Sequence, residues 1–190
     1  MPDIASRDPL VWIDCEMSGL DPETDTILEI ACFITDYDLN LLEANGFEVV
    51  IHHDKERLDR MGQWCREHHG ASGLTQACMK SEIVPEQAAD RLLQYIQKYV
   101  PHPRTALLAG NSVHADRAFL AKPPYNSVIN YLHYRILDVS AIKEAARRWA
   151  ADEVLDSSPQ KTGRHEARTD ILESIEEARF YRKSFFKRPL

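Results

Sequence analysis

Two acidic residues interrupt an otherwise apolar stretch near the start of the chain. Asp14 and Glu16 lie within the sequence VWIDCEMSGL, and its alternating pattern predicts a β-strand over residues 11–17. Because side chains alternate between the two faces of a strand, both carboxylates share one face with Trp12. A buried carboxylate costs free energy unless something neutralises it, and a pair on one apolar strand has few structural uses. The pair therefore favours a functional site over a structural one.

Two further acids lie where a core prefers apolar groups. Asp116 precedes Phe119 and Leu120 by three and four residues, which puts it on the apolar face of a predicted helix. Asp170 borders the apolar stripe of the predicted C-terminal helix. Taken alone, Asp116 fits a structural role (an N-cap, a surface position or half of an ion pair) and a functional role about equally well. Taken alone, Asp170 is better explained as an ordinary acid in a first helical turn. If the four acids meet, they would repel and take up protons unless metal ions balance them.

Histidines offer a weaker signal. His165 stands five residues before Asp170 in the loop PQKTGRHEAR, so the two side chains can reach one site only if His165 precedes the helix. An exposed loop histidine is the ordinary alternative. The pairs at residues 52–53 and 68–69 have neither Cys partners nor the spacing of a zinc site, and we expect them in loops.

The bulk composition bounds the class of protein. The chain has 190 residues, 44% hydrophobic and 28% charged, which suits one domain over residues 1–190 with a flexible N-terminus at residues 1–9. The net charge of -7 argues against a long basic groove for duplex nucleic acid, although bound divalent cations could supply positive charge to a nucleic-acid enzyme. Four cysteines without CxxC spacing indicate a reducing, intracellular compartment. No signal or transit peptide is visible, and no apolar run approaches the ~20 residues needed to span a bilayer.

The predicted elements form an α/β domain with a mixed sheet. Residues 26–38 and 47–53 follow the first strand as β-branched strands, with the reversal either at residues 38–40 or at 45–46. Short helices and loops are expected over residues 55–80, and an amphipathic helix over 85–100. The remaining elements are a strand at 105–111, a helix from 112 that Pro123-Pro124 ends, a strand at 134–140, and helices at 141–150 and 169–185.

The pattern of acids, together with several longer motifs, resembles the DEDDh 3′-to-5′ exonucleases. The motifs WIDCEMSGL, ILEIACFITD, GNSVHADRAFL, LHYRILDVS and HxAxxDIxES narrow the resemblance to the oligoribonuclease family, from about residue 11 to the C-terminus. It implies a ribonuclease-H-like fold, a mixed β-sheet flanked by α-helices. It also implies a homodimer that acts on short single-stranded RNA and does not associate with a membrane. The implied location is the cytoplasm, the mitochondrion or both. The catalytic residues that it implies are Asp14, Glu16, Asp116, His165 and Asp170.

The implied chemistry uses two divalent ions, Mg²⁺ or Mn²⁺. Four carboxylates as ligands would balance two such ions, and oxygen ligands suit these metals better than zinc. Two ions ~3.5–4 Å apart can stabilise the attacking and leaving oxygens of a phosphodiester together. His165, with an ordinary pKa of about 6.5, can accept a proton from the attacking water near neutral pH.

Three positions match the family's base contacts. Leu20 matches a leucine that wedges between the two bases, and Trp64 and His69 match an aromatic residue and a histidine beside them. Stacking on such rings tolerates any base. Without the resemblance, Trp64 would be expected in the core and His69 in solvent, and for His69 we prefer that interpretation.

Four positions match groups that enclose the 5′ end of a dinucleotide. Ser112, Arg135 and Ser140 match residues that bind the 5′ phosphate, and Tyr134 matches a tyrosine contributed by the other subunit. Without the resemblance, Tyr134 and Arg135 would be ordinary strand-edge residues. A closed 5′ end would explain a preference for dinucleotides, which need no long channel of phosphate contacts.

The sequence thus predicts a 3′-to-5′ exoribonuclease that hydrolyses short oligoribonucleotides, especially RNA dinucleotides, to nucleoside 5′-monophosphates. Two alternatives compete with it. One is a proofreading-type DNA exonuclease of the same superfamily, which longer DNA substrates would reveal. The other is a non-catalytic nucleic-acid-binding or scaffold domain, against which the full set of five catalytic-type residues weighs.

Overall fold

A mixed β-sheet of five strands forms the centre of the part of the chain that the structure describes. The structure is a computed structural model and describes residues 8–159 and 166–186. The strands are β1 (Leu10–Met17), β2 (Ile27–Thr35), β3 (Phe47–Val50), β4 (Leu107–Gly110) and β5 (Ile136–Asp138). Their spatial order is β3-β2-β1-β4-β5, with β1, β2 and β3 antiparallel and with β4 and β5 parallel to β1. The predicted mixed α/β class is confirmed.

Helices cover both faces of the sheet. The helices of the described residues are α1 (Lys55–Asp59), α2 (Gln63–Ala71), α3 (Leu74–Lys80), α4 (Pro85–Tyr99), α5 (His114–Leu120), α6 (Asn126–Tyr131), α7 (Val139–Trp149), α8 (Asp152–Asp156) and α9 (Ala167–Phe185). Apolar residues of α4, α5 and α6 pack on one face, and those of α7 and α9 on the other. A smaller apolar cluster joins α1 and α3 to β2. None of the described helices is long and apolar enough to cross a membrane.

Strand β1 lies between the two layers and has both faces covered. Val11 and Ile13 belong to the core beneath α4 and α5, whereas Trp12 belongs to the core beneath α9. The predicted alternation is therefore confirmed, and Asp14 and Glu16 continue the Trp12 face towards α9. Carboxylates at these positions cost free energy, because side chains on a central strand have little contact with water.

Local hydrogen bonds shorten the predicted second strand. It ends at Thr35 rather than at residue 38, because the Asp36 carboxylate accepts hydrogen bonds from the backbone N–H groups of Asp38 and Asn40. Leu39 adopts a left-handed φ of 67° in this turn. Gly46 adopts φ 68° where the chain enters β3, so both candidate reversal points are used.

Two short helices were not predicted. Helices α6 and α8 have six and five residues, too few to show a helical period. Packing stabilises α6 instead: Val128 is buried in the core, and the Tyr131 hydroxyl donates to the Val100 carbonyl at 2.7 Å. Helix α9 begins at Ala167, two residues before the predicted start. His165 and most of the predicted flexible N-terminus, residues 1–7, lie outside the described residues.

Candidate active site

Three carboxylates from two elements converge on one point. The oxygen atoms that Asp14, Glu16 and Asp170 offer all lie within 4.8 Å of one another. Asp14 and Glu16 project from β1, and Asp170 comes from the first turn of α9, which packs across β1 and β2 through Ile171. Across the described parts of the chain, no second set of His, Cys, Asp and Glu groups meets in this way. The expected meeting of these three acids thus occurs in the structure.

Asp116 borders this group from the other side of β1. Its carboxylate is 5% exposed and accepts a hydrogen bond from the backbone N–H of Cys15 at 3.0 Å. Strand β4 is in register with β1 only from Leu10 to Trp12, so the edge of β1 beyond Trp12 has no strand partner on this side. The carboxylate takes the place of that missing strand. Asp116 is thereby fixed beside the strand, though outside the group of three converging acids.

Burial, and for Glu16 also the neighbouring acids, raises the affinity of two of these carboxyls for protons. Burial, then the charges of Glu29, Asp170 and Asp116, raise the pKa of Glu16 to about 8. Burial also raises the pKa of Asp116 to about 7, although the hydrogen bond from Cys15 opposes this shift. At neutral pH the metal-free site therefore holds protons, which a bound cation would displace. A cluster of carboxylate oxygens with excess negative charge fits a hard divalent cation such as Mg²⁺ or Mn²⁺.

Glu29 is a further acid of this region that the sequence did not reveal. It lies directly opposite Glu16 in the β1–β2 register, on the same face of the sheet. Burial, followed by the charges of Glu48 and Glu166, raises the pKa of Glu29 to about 7. Its position within the apolar run ILEIACFIT was a signal, but only the strand register shows that it faces Glu16.

A cavity of about 490 Å³ adjoins the acids. Its lining includes Glu16 together with the predicted base contacts Leu20, Trp64 and His69. Leu20 is 89% exposed, an unusual position for a large apolar side chain at a tight loop. The structure thus brings all three predicted base contacts to the edge of the acidic group.

Within this cavity, the sequence-only expectations for Trp64 and His69 are wrong. Trp64 is 60% exposed, whereas His69 is 2% exposed. The two residues are five apart on α2, so their side chains point in different directions, and His69 is the one that faces the sheet. His69 Nε2 lies 3.0 Å from the Met17 carbonyl oxygen, and because a carbonyl only accepts, this nitrogen carries the proton. Trp64 stacks on His68 instead, with ring centroids 4.7 Å apart.

The loop that carries Leu20 is closed by Asp25. The Asp25 carboxylate accepts hydrogen bonds from the Ser18 hydroxyl at 2.9 Å and from the Asp21 N–H at 3.1 Å. A Cβ atom at Gly19 would lie 2.3 Å from an oxygen of this carboxylate. A side chain at Gly19 would therefore displace the carboxylate that closes the loop.

A second polar cluster lies at the C-terminal ends of the parallel strands β4 and β5. The Ser112 N–H donates to Asp138 Oδ1 and approaches the Ser140 hydroxyl oxygen, both at 3.0 Å, and the two serine hydroxyl oxygens are 3.2 Å apart. Asp138 also caps α7 through the Ser140 N–H at 2.9 Å, a role that sequence analysis missed. Just before β5, the exposed Arg135 guanidinium lies 5.3 Å from the centre of the Tyr134 ring. Of the predicted phosphate contacts, the structure thus brings Ser112 and Ser140 together, while Arg135 contacts the neighbouring Tyr134 of its own chain.

Sequence comparisons identify relatives of known type. A family model described as exonuclease matches residues 11–178. The chain is 48% identical over 181 residues to the mitochondrial oligoribonuclease of Bos taurus, covering 94% of this chain and 74% of that protein. It is 45% identical over 183 residues to the oligoribonuclease of Mycobacterium avium, covering 96% and 84%.

Solved structures show the same fold at low sequence identity. The Mg²⁺- and Mn²⁺-bound form of Schizosaccharomyces pombe Pop2p superposes with a TM-score of 0.71 at 15% identity, covering 94% of this chain and 84% of that one. The zinc-bound complex of Escherichia coli exonuclease I with single-stranded DNA gives 0.68 at 12% identity and covers 94% of this chain. This chain spans only 41% of that exonuclease. These likenesses establish the fold, which is the ribonuclease-H-like fold expected from the sequence.

Proposed function

We propose that this chain, which belongs to the oligoribonucleases of the exonuclease family, hydrolyses short oligoribonucleotides from the 3′ end and releases nucleoside 5′-monophosphates. The observation that carries the proposal is the convergence of Asp14, Glu16 and Asp170 within 4.8 Å, beside a cavity that exposes Leu20 and Trp64. Water attacks the terminal phosphorus, the bond to the 3′ oxygen of the preceding nucleotide breaks, and that oxygen leaves with a proton. The preferred substrate in this proposal is an RNA dinucleotide.

Asp14, Glu16 and Asp170 would hold divalent cations, with Asp116 as the fourth carboxylate. Bound Mg²⁺ or Mn²⁺, two ions in the proposal, would act as a Lewis acid that stabilises the charge developing on the attacking and leaving oxygens. The raised pKa values of Glu16 and Asp116 support this role, because the site has more negative charge than it can hold without a cation. The Cys15 N–H fixes the Asp116 carboxylate before any cation binds.

His165 is proposed as the general base. It lies immediately before Glu166, the N-cap of α9, and five residues before Asp170 in the first turn of that helix. An imidazole near its ordinary pKa can accept the proton of the attacking water at neutral pH. Its position lies outside the described residues, and its role rests on the family motif.

Leu20, Trp64 and His69 are proposed to bind the two bases. A leucine that projects almost completely into solvent can insert between bases, and an exposed indole offers a face for stacking without base preference. His69 contributes differently, because its bond to the Met17 carbonyl joins α2 to the end of β1. It therefore supports the wall of the cavity between Glu16 and Trp64.

Ser112, Arg135 and Ser140 are proposed to enclose the 5′ phosphate, with Tyr134 contributed by a second subunit. Two adjacent serine hydroxyls can each donate a hydrogen bond to phosphate, and Arg135 supplies positive charge in a chain of net charge -7. This arrangement would limit the length of the substrate at its 5′ end. It supports a preference for dinucleotides over long strands.

A homodimer is proposed as the working unit. Trp149 is 81% exposed and lines a shallow apolar groove with Ile142 and Phe186. Apolar surface of this kind favours association with another protein, and a second copy would also bring its own Tyr134. An intracellular compartment accords with four free cysteines, of which Cys15, Cys32 and Cys78 are buried.

Turnover of a 5′-labelled RNA dinucleotide compared with longer single-stranded DNA tests the proposal. We expect rapid hydrolysis of the dinucleotide with Mg²⁺ or Mn²⁺, and slow hydrolysis of a DNA oligonucleotide. Preferential degradation of the long DNA would favour the proofreading-type alternative. Binding of either without hydrolysis would favour the non-catalytic alternative.

A further inference from the structure

One almost fully buried carboxylate on the C-terminal helix joins elements that surround the serine pair. Glu177, on α9, is 2% exposed. Asn111 Nδ2 donates to its Oε2 at 2.9 Å, and the Lys143 ammonium nitrogen lies 3.3 Å from its Oε1. The Tyr181 hydroxyl donates to Oε1 at 3.2 Å. The proposed hydrolysis makes no use of this carboxylate.

The two partners from other elements are neighbours of the serine pair. Asn111 immediately precedes Ser112, and Lys143 follows Ser140 by three residues, about one turn of α7. Glu177 thus contacts the loop after β4 and the first part of α7 at the same time. The two serines project from these same segments.

The loop after β4 needs such support. Ser112 has φ 50°, in the left-handed region that is unfavourable for a non-glycine residue. A strained residue keeps its conformation only if its surroundings hold it. The Asn111 side-chain oxygen is buried and has no hydrogen-bond partner within the described chain, so the bond from Nδ2 to Glu177 is what anchors this side chain beside Ser112.

The Glu177 carboxylate pairs with Lys143. Lys143 is half-exposed, and its ammonium group reaches inward to a carboxylate that is almost completely buried. A buried carboxylate is retained at such a cost only with a cation and hydrogen-bond donors around it. This arrangement ties α9, which carries Asp170, to α7, which carries Ser140.

We propose that Glu177 is a positioning residue for the 5′ end of the substrate. With Asn111 and Lys143, it holds Ser112 and Ser140 at the spacing that lets both hydroxyls bind one 5′ phosphate. The inference rests on the proposed function for the role of the serine pair. It assigns Glu177 no contact with substrate and no part in the chemical step.

The test is the preference of the enzyme for a 5′ phosphate. The kcat/KM for a 5′-phosphorylated RNA dinucleotide is divided by that for the same dinucleotide with a 5′ hydroxyl, in the wild type and in Glu177→Gln, Asn111→Ala and Lys143→Ala. We expect each variant to lower this ratio about tenfold, equivalent to about 1.4 kcal/mol. The rate for the 5′-hydroxyl substrate should stay within about threefold of wild type. The double variant Glu177→Gln/Lys143→Ala should lose no more than the more affected single variant, because both substitutions remove the same ion pair.

Glu176→Gln is the matched control. Glu176 is exposed, lies next to Glu177 and pairs with Arg179, so its substitution should leave the ratio unchanged. An unchanged ratio in Glu177→Gln, or an equal loss on both substrates, would overturn the inference alone. If Glu177→Gln does not fold, the half-exposed Lys143→Ala decides by the same ratio. A wild type without any 5′-phosphate preference would overturn the inference together with the phosphate role of the serine pair, while exoribonuclease activity would still stand.

Discussion

Glu16 and Glu29 face each other directly across the antiparallel strands β1 and β2. Like charges in this position repel. After burial, the charge of Glu29 is the second-largest cause of the raised pKa of Glu16. The strand pair therefore places excess negative charge at the edge of the three-acid group. Ionised carboxylates at such a site are costly without a cation, and a bound divalent cation would offset that cost.

The metal-free protein should lose stability as pH rises. The carboxyl of Glu16 has its pKa raised from 4.5 to about 8, and that of Asp116 from 3.8 to about 7. Folded protein therefore binds more protons than unfolded protein between about pH 4 and 8, and the free energy of unfolding falls with pH across that range. The melting temperature in EDTA should drop by several degrees from pH 5.5 to pH 8, since about 1 kcal/mol shifts it by roughly 2–4 °C in a domain of this size. A melting temperature that rises over this range would contradict the account.

Glu29→Gln should reduce this pH dependence. At pH 8 the substitution removes an ionised neighbour of Glu16, so the melting temperature in EDTA should rise relative to wild type. At pH 5.5 the rise should be clearly smaller, because Glu29, with its pKa raised to about 7, is protonated in the folded protein and no longer repels Glu16. Glu56→Gln serves as the control, since that glutamate is exposed and paired with Arg60. Equal shifts at both pH values would show that Glu29 acts through packing rather than charge.

Leu20→Ala and Trp64→Ala should weaken substrate binding more than the chemical step. Loss of base stacking costs roughly 1–3 kcal/mol, so the KM for an RNA dinucleotide should rise at least about fivefold while kcat changes less. Both side chains are exposed, so stability should hardly change. Val84→Ala, which truncates an apolar residue exposed elsewhere on the surface, provides the comparison. A fall in kcat with KM unaltered would place these residues in catalysis instead of base binding.

His165→Ala should separate proton transfer from metal binding. General base catalysis contributes typically 10²–10⁴-fold, so kcat should fall by about that factor. The increase in melting temperature on addition of Mn²⁺ should persist, because the carboxylates remain. Loss of the Mn²⁺-induced increase would mean that the histidine is a ligand rather than a base.

Sequence periodicity predicted the part of the site that lies on one strand. Asp14 and Glu16 share a face because a strand has period two, and that inference needed no knowledge of neighbours. Periodicity could not place Asp170 beside them; the family resemblance implied it, and the packing of α9 across β1 brings it there. The opposition of Glu29 to Glu16 depends on strand register, which the sequence of either strand alone does not contain.

Contacts between distant segments explain what the sequence missed. His69 was expected in solvent, yet α2 turns it towards the carbonyl of Met17, fifty-two residues earlier in the chain. Asp116 lies on the buried face of α5 with Phe119 and Leu120, as expected, but the sequence did not reveal that its carboxylate accepts a hydrogen bond from the Cys15 N–H. Only the tertiary fold defines these partners, whereas local patterns were sufficient for β1, α4 and α9.

The assignment of the three converging carboxylates as the active site is tested most directly by the initial rate of hydrolysis of an RNA dinucleotide in Mn²⁺. The rate is measured for wild type, for Asp14→Asn and for the exposed control Glu56→Gln. Wild type and the control should release nucleoside 5′-monophosphate at similar rates. The rate of Asp14→Asn should be lower by at least about a hundredfold, because removing one charge-stabilising group costs roughly 10²–10³ in rate in comparable sites. Undiminished hydrolysis by Asp14→Asn would contradict the assignment of the three converging carboxylates as the active site.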